Sequence, residues 1–342
     1  MRGLPTRPSR VAAVALGLAG LFATVAWAHH YRLESATPPA PFLRDGRVDV
    51  VIEPSGVAPL GDGRRVLVAH EKAAPLHVVD LETGAIVGAP LDSPKFAPTT
   101  KAGPRWQGMA LDSRGNYYLV GSHGGKGDEE RADRISVVRF RLRGGEPPAI
   151  DDASVVCWDI TRPLDAALKA QGLDAARVAE RKVAGLAVRE AGASRDLLIG
   201  LSKPDDKARA FAADLPAGPD AALEFRPLFA FDAGRREGIA ARLTSLSYVE
   251  VMGGFVVLTA TVDANNASSG NTLWYVANGQ RRRATSHATF EPAMKSAGLA
   301  LLGDEAAGSR ITIKLLIAYD NDPQATKIPS RFQTATLVHD RN

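Results

Sequence analysis

One short phrase recurs along this chain and limits what it can fold into. A small or polar residue, a glycine, an aliphatic residue and a small residue are followed by a turn and then a β-rich run. The first copy is Ser55-Gly56-Val57-Ala58, with a turn at Gly61-Asp62-Gly63 and then Val66-Leu67-Val68. The second is Gln107-Gly108-Met109-Ala110, turning through Ser113-Arg114-Gly115-Asn116 into Tyr117-Tyr118-Leu119-Val120. Ala184-Gly185-Leu186-Ala187 leads to Leu197-Leu198-Ile199, and Ala297-Gly298-Leu299-Ala300 leads to Ile311-Thr312-Ile313. Glu237-Gly238-Ile239-Ala240 has the composition but not the spacing. Ser245-Leu246-Ser247-Tyr248, with its turn at Gly253-Gly254 before Phe255, keeps the offset, so Ser245 stands where the other copies have glycine. Each copy reads as strand, turn, strand.

Positions 56, 108, 185, 245 and 298 lie 52, 77, 60 and 53 residues apart. A unit of about 50 residues made of short strands is a propeller blade. The long interval contains Pro163-Leu164-Asp165-Ala166-Ala167-Leu168-Lys169 and the stretch from Asp174 to Lys182, alanine-rich and poor in strand formers, which predicts a short helical insertion near 163–182. The fold expected is all-β: a single β-propeller of about six four-stranded blades, from 314 residues after Ala28 at about 50 per blade. A pair of β-sandwiches is the rival. Glycine at the repeat position suits inner strands that crowd the axis.

The first 28 residues read as an address. Arg2, Arg7 and Arg10 precede an uncharged run from Val11 to Ala28 that ends in Ala26-Trp27-Ala28. This is the pattern of a signal peptide cut after Ala28; an uncleaved anchor is the alternative. Residues 29–46 are then a linker and 47–342 the propeller, periplasmic or secreted, touching membrane only if the leader is retained. Charge follows the same division. The whole chain is formally +4, but without its three leader arginines it has 39 basic against 38 acidic residues, or +1. Nucleic acid is therefore not expected as a partner. The only strong basic run, Arg281-Arg282-Arg283, has no interleaved aromatics for base stacking. The single cysteine excludes a disulfide scaffold, and Cys157, in Val155-Val156-Cys157-Trp158, is expected to be a buried thiol.

The repeats resemble a bacterial domain-of-unknown-function family of β-propellers related to the "esterase-like activity of phytase" domain, whose hallmark is a recurrent Glu-Gly-Leu-Ala phrase before a strand. Lys182-Val183-Ala184-Gly185-Leu186-Ala187 is the best match, and Leu197-Leu198-Ile199-Gly200-Leu201-Ser202-Lys203-Pro204 resembles the family's glycine-leucine-basic-x-proline segment. Gly253-Gly254-Phe255-Val256-Val257-Leu258 and Leu273-Trp274 are also similar. The likeness covers most of residues 47–322. The motif glutamate is replaced by Ser55, Gln107, Ala184 and Ala297, so carboxylates that the family would present there are missing. The resemblance implies the fold more firmly than an activity.

A propeller works where loops converge on one mouth of its channel. Two readings follow: a small molecule or envelope protein bound at that mouth by a monomer, or a metal-dependent hydrolase (lactonase, esterase or phosphoesterase) holding a divalent cation such as calcium in the channel. Candidate metal ligands are Glu53, Asp263, Asn265, Asp320 and Asp322, oxygen donors near strand ends. His70 and His123 each follow the second strand of a copy and are candidate general bases. Glu71, Lys203, Arg235 and Arg236 are candidate ligand-binding groups. The chain has no G-x-S-x-G elbow, P-loop or H-E-x-x-H motif.

Overall fold

The computed structural model describes residues 31–96, 105–123, 134, 136–192, 194–216, 218, 221–263, 268–277, 280–283 and 293–340. The leader over 1–28 and Asn265 lie outside the described residues.

Among the described residues, five antiparallel sheets of four or five strands are arranged in chain order, each running from an inner to an outer strand, beside two small two-stranded pairs. Blade one is Pro54–Pro59, Arg65–His70, Leu76–Asp80 and Ile86–Leu91. Blade two is Trp106–Leu111, Tyr117–Gly121, Ser136–Phe140 and Val156–Asp159. Blade three is Lys182–Ala191, Ser194–Lys203, Lys207–Asp214 and Arg226–Asp232. Blade four is Ile239–Val249, Gly254–Val262, Ser268–Ala277 and Gln280–Arg283, with Arg235–Arg236 paired to the start of its inner strand. Blade five is Ser296–Ala307, Arg310–Tyr319 and Arg331–Asp340, completed on its outside by Arg32–Ala36 from the other end of the chain. The stretch expected as a linker over 29–46 thus supplies the strand that closes the propeller. Tyr31 packs there against Tyr275 and His339, with ring centroids 4.4 and 4.6 Å away.

The five repeat positions are where the inner strands meet. A Cβ on Gly56 would lie 2.7 Å from the carbonyl carbon of Gly108, and one on Gly108 would lie 2.7 Å from the Leu186 nitrogen. From Gly185 it would be 3.1 Å to the Ser245 Cα, and from Gly298 3.3 Å to Val57. Between blades four and five, the Ser245 hydroxyl accepts the Leu299 N–H at 3.1 Å. The ring therefore closes with five members, one fewer than expected. The repeat positions themselves span 242 residues in four intervals, near 60 each. The extra length goes into inner strands of 10 and 12 residues in blades three and five and into the insertion.

That insertion is two helices, Thr161–Ala170 and Ala175–Ala179, the second opened by Asp174, whose side chain accepts the Arg177 N–H. Leu164, Leu168 and Val178 pack against Val183 and Leu197 between blades two and three. The turns of the repeats are built by aspartates. Asp62 accepts the N–H groups of Arg64 and Arg65, and Asp112 those of Arg114 and Asn116.

All five inner strands carry a β-bulge at one place. The ladder steps from Pro54 to Gly56, from Trp106 to Gly108, from Val183 to Gly185, from Leu243 to Ser245 and from Ser296 to Gly298, skipping Ser55, Gln107, Ala184, Thr244 and Ala297. The skipped residue is the one just before the repeat glycine or serine. A bulge bends a strand and re-aims the side chains ahead of it.

Cys157 is exposed rather than buried. It lies on an outermost strand, where alternate residues face opposite ways, and Trp158 takes the inward position. Burial of its surroundings raises the thiol above its ordinary value, which favours the protonated form.

Candidate functional site

Within each of blades one, two, three and five, the first residues of the inner strand pair with the last residues of the second: Pro54 with His70, Trp106 with Gly121, Lys182 with Lys203, Ser296 with Tyr319. Residues before an inner strand and after a second strand therefore gather on one face of the propeller. Glu53, His70, Glu71, His123, Lys203, Asp263 and Asp320 all occupy such positions. Only some of them converge.

Glu53, Glu71, Asp320 and Asp322 meet four cations the sequence reading did not single out: Lys72, Arg105, Lys182 and Lys295. Lys72 Nζ donates to Glu53 Oε1 at 2.8 Å and to Asp322 Oδ1 at 3.0 Å. Arg105 Nη2 donates to Glu71 Oε1 at 2.9 Å, and Lys295 Nζ to Asp320 Oδ2 at 3.0 Å. The backbone ties these groups together, since the Glu71 N–H donates to Glu53 O and the Asp320 N–H to Lys295 O. A signal for three of the missed cations was present in the repeats. Three residues ahead of each repeat position stand Glu53, Arg105, Lys182, Arg242 and Lys295, all charged and four of them basic.

Burial works to raise the carboxyl of Glu71, but Lys182, Lys295, Arg105 and a hydrogen bond from Gln107 outweigh it, and Glu71 is held below the usual glutamate value. Burial pushes Lys182 down; Glu71 opposes this, while Lys295 and Arg105 add to it. For Lys295, Asp320 and Glu71 overcome burial, and its ammonium is stabilised. Glu53 is raised by burial and by the charges of Asp320 and Asp322, against the Lys72 hydrogen bond. Lys182 differs from the other cations. Among the described residues its ammonium makes no hydrogen bond and has no carboxylate at ion-pair distance.

The two histidines do not face this cluster as open bases. His70 is tied at both nitrogens: Nε2 donates to Val51 O and Nδ1 accepts the Lys72 N–H, each at 3.0 Å. Burial lowers its pKa further. His123 is enclosed, with burial and then Arg181 pushing it down to about 3. Its ring nitrogens find no hydrogen-bond partner among the described residues. A group so reluctant to take a proton is a poor general base near neutral pH. Lys203 ends its strand exposed. Arg235 pairs with Asp206 and donates to Gly238 O, and both Arg235 and Arg236 are exposed where blades three and four meet. Asp263 closes the second strand of blade four, half-buried.

The expected metal ligands Glu53, Asp320 and Asp322 do come near one another, but ammonium groups already neutralise them. Among the described residues no group of three His, Cys, Asp or Glu side chains is arranged to hold a metal ion. A hard dication needs several converging oxygens free of competing cations, so this donor set does not fit one. Beyond the glycine ring the channel is apolar: a cavity of about 280 Å³ lined by Val57, Met109, Leu186, Leu246 and Leu299 opens on the opposite face.

No family model matches this chain, and no curated protein matches it. Among solved structures it is similar to hydrazine synthase of Kuenenia stuttgartiensis, with 12% identity over 80% of this chain and 66% of that one, at a TM-score of 0.39. It is similar to the soluble aldose sugar dehydrogenase of Escherichia coli in its apo form, with 10% identity, 89% and 99% coverage and a TM-score of 0.45. A third similarity is to the β-propeller domain of Cps50 (Swd1) from Myceliophteria thermophila, with 10% identity, 82% and 96% coverage and a TM-score of 0.38. What makes this chain a propeller is its own strand pairing, five antiparallel sheets whose inner strands close a ring.

Proposed function

We propose that this protein is a ligand-binding propeller whose recognition site is the charged mouth, and that its ligand presents an anionic group to Lys182. The carrying observation is the placement of Lys182: a half-buried ammonium set beside the cations Arg105 and Lys295, with burial and their charges pushing its pKa down, and without a hydrogen bond among the described residues. An ammonium has three donors, and a carboxylate or phosphate that takes them up also offsets the repulsion from Arg105 and Lys295. Glu71, Glu53 and Asp320 keep the neighbouring cations ordered, so an incoming ligand meets a preformed site. The hydrolase reading has no comparable support, because the carboxylates it requires are engaged by lysines.

The test is a thermal-shift screen of the full chain with small carboxylates, sugar acids, sugar phosphates and neutral sugars, run beside Lys182→Met. Anionic compounds are expected to raise the melting temperature of the wild type, and that shift should vanish in the variant. Hits that are uncharged, or that act equally on Lys182→Met, would overturn the reading.

A further inference from the structure

A second charged site lies on the face away from the mouth, at the turns of blades two and three. A cleft of about 770 Å³ is lined there by Arg114, Arg139, Arg141 and Arg195, with Ser154 and Ser194 among its polar groups. Its size is in the range of small-molecule sites. The arginines are not equivalent. Arg195 is engaged by two carboxylates, Asp112 and Glu190. Of the acids in the cleft wall, Asp214 is paired with Arg226 at 2.7 Å. Arg114, Arg139 and Arg141 have no carboxylate partner among the described residues, and only Asp151 faces them, its side chain accepting the Ala153 N–H.

Two of these three guanidinium groups are nevertheless fixed in place. Arg139 lies over the Trp158 ring, 5.4 Å from its centroid. Arg141 Nε donates to Asn116 Oδ1 at 2.8 Å, and Asn116 is itself held by Asp112, to which its Nδ2 donates at 2.8 Å. A cation held by a ring face or an amide oxygen keeps its charge uncompensated and several N–H donors free. Arg114, Arg139, Arg141 and Arg195 against Asp151, Asp112 and Glu190 leave a local excess of one positive charge. Planar, fixed guanidinium forks match tetrahedral oxyanions by paired hydrogen bonds.

We propose that this cleft is a binding site, separate from the mouth, for a small molecule carrying a phosphate or sulfate group. Arg139 and Arg141 supply preoriented donors, Arg114 closes over the group from the exposed turn, and the remaining volume holds the rest of the ligand against Leu215 and Pro216.

Calorimetric titration of the full chain at constant ionic strength tests this, using inorganic phosphate, inorganic sulfate and, as a control, chloride. Saturable binding of phosphate, sulfate or both is expected, and the stronger of the two names the source. Arg141→Gln and Arg139→Gln should each weaken it about tenfold or more, as loss of a charge-assisted pair does. Arg114→Gln, at an exposed turn where folding is not at risk, should weaken it as well. All titrations are repeated in the Lys182→Met background, where the mouth does not contribute, and the cleft should still bind there. The proposal is overturned if neither oxyanion binds better than chloride. It is equally overturned if Lys182→Met binds neither oxyanion, or if binding survives when the three arginine substitutions are added to Lys182→Met.

Discussion

At the residue scale, the mouth is a balance among buried charges, and Glu71 is its pivot. Lys182, Lys295 and Arg105 all act on its carboxylate, and together they hold it below its ordinary value of 4.5. A depressed carboxyl stabilises the fold above its unfolded value and loses that contribution as pH falls through the folded one. Stability of the wild type should therefore decline as pH drops below about 4.5, and Glu71→Gln should decline less steeply. At neutral pH the variant should be less stable by about 3 kcal/mol, because three cations lose their shared partner. Urea unfolding at several pH values measures both effects; parallel curves for the two proteins would contradict the assignment. Neither this pivot nor Lys182 was legible residue by residue. Glu71 was expected at a ligand site from its place after a strand, but its partners come from three other blades, and only closure of the ring brings them together. His70 and His123 looked like bases for the same positional reason; burial and local hydrogen bonds, which a strand-end position does not reveal, decide otherwise.

At the scale of the element, a single device recurs five times. A bulge precedes the repeat glycine or serine, and a charged residue precedes the bulge. At Gly56, Gly108 and Gly185 glycine follows the bulge because the next blade's backbone lies where a side chain would go, whereas Gly298 faces the Val57 side chain and blade four has Ser245 in this place. Gly108→Ala would place its methyl carbon 2.7 Å from the Leu186 nitrogen, against backbone that cannot rotate away. We expect a cost of about 1–3 kcal/mol or more, read as a lower denaturant midpoint with an unchanged slope. Stability equal to wild type would mean that the inner strands are looser than described. This part of the architecture was plain in the sequence. The spacing argument that chose Ser245 over Gly238 selected the residue whose hydroxyl bonds the next blade. The helical insertion stood where composition placed it.

At the scale of the whole molecule, five repeats mean five blades, and the expectation of six came from dividing length by a nominal unit rather than counting the repeats present. The linker was misread for a related reason: Arg32–Ala36 has little hydrophobic pattern because it is an edge strand, and its partner Arg331–Asp340 is nearly the whole chain away. That pairing joins the two ends and leaves no open seam. Deleting residues 1–36 should uncover the edge carrying Leu337 and Val338, remove the Tyr31 packing and lower the melting temperature by about 5 °C or more, with aggregation through the freed strand. A truncated chain that melts with the intact one would show that the closure is dispensable. The ring also separates the molecule's chemistry. Charges collect at the start of the inner strands, apolar side chains fill the channel beyond the glycines, and the arginine cleft sits outside the channel at the far turns.

All of this rests on a half-buried lysine that the closed ring sets beside two other cations and leaves without a hydrogen-bond partner among the described residues. Titration of the Lys182 amine in the full-length protein by heteronuclear NMR, its signal identified by its absence in Lys182→Met, examines that lysine itself. The account predicts a pKa below the ordinary 10.5, moving upward when an anion binds, so that affinity falls as pH rises through the free protein's value. A Lys182 that titrates at or above 10.5 would show a solvated or already paired ammonium, and the mouth would lose its anchor.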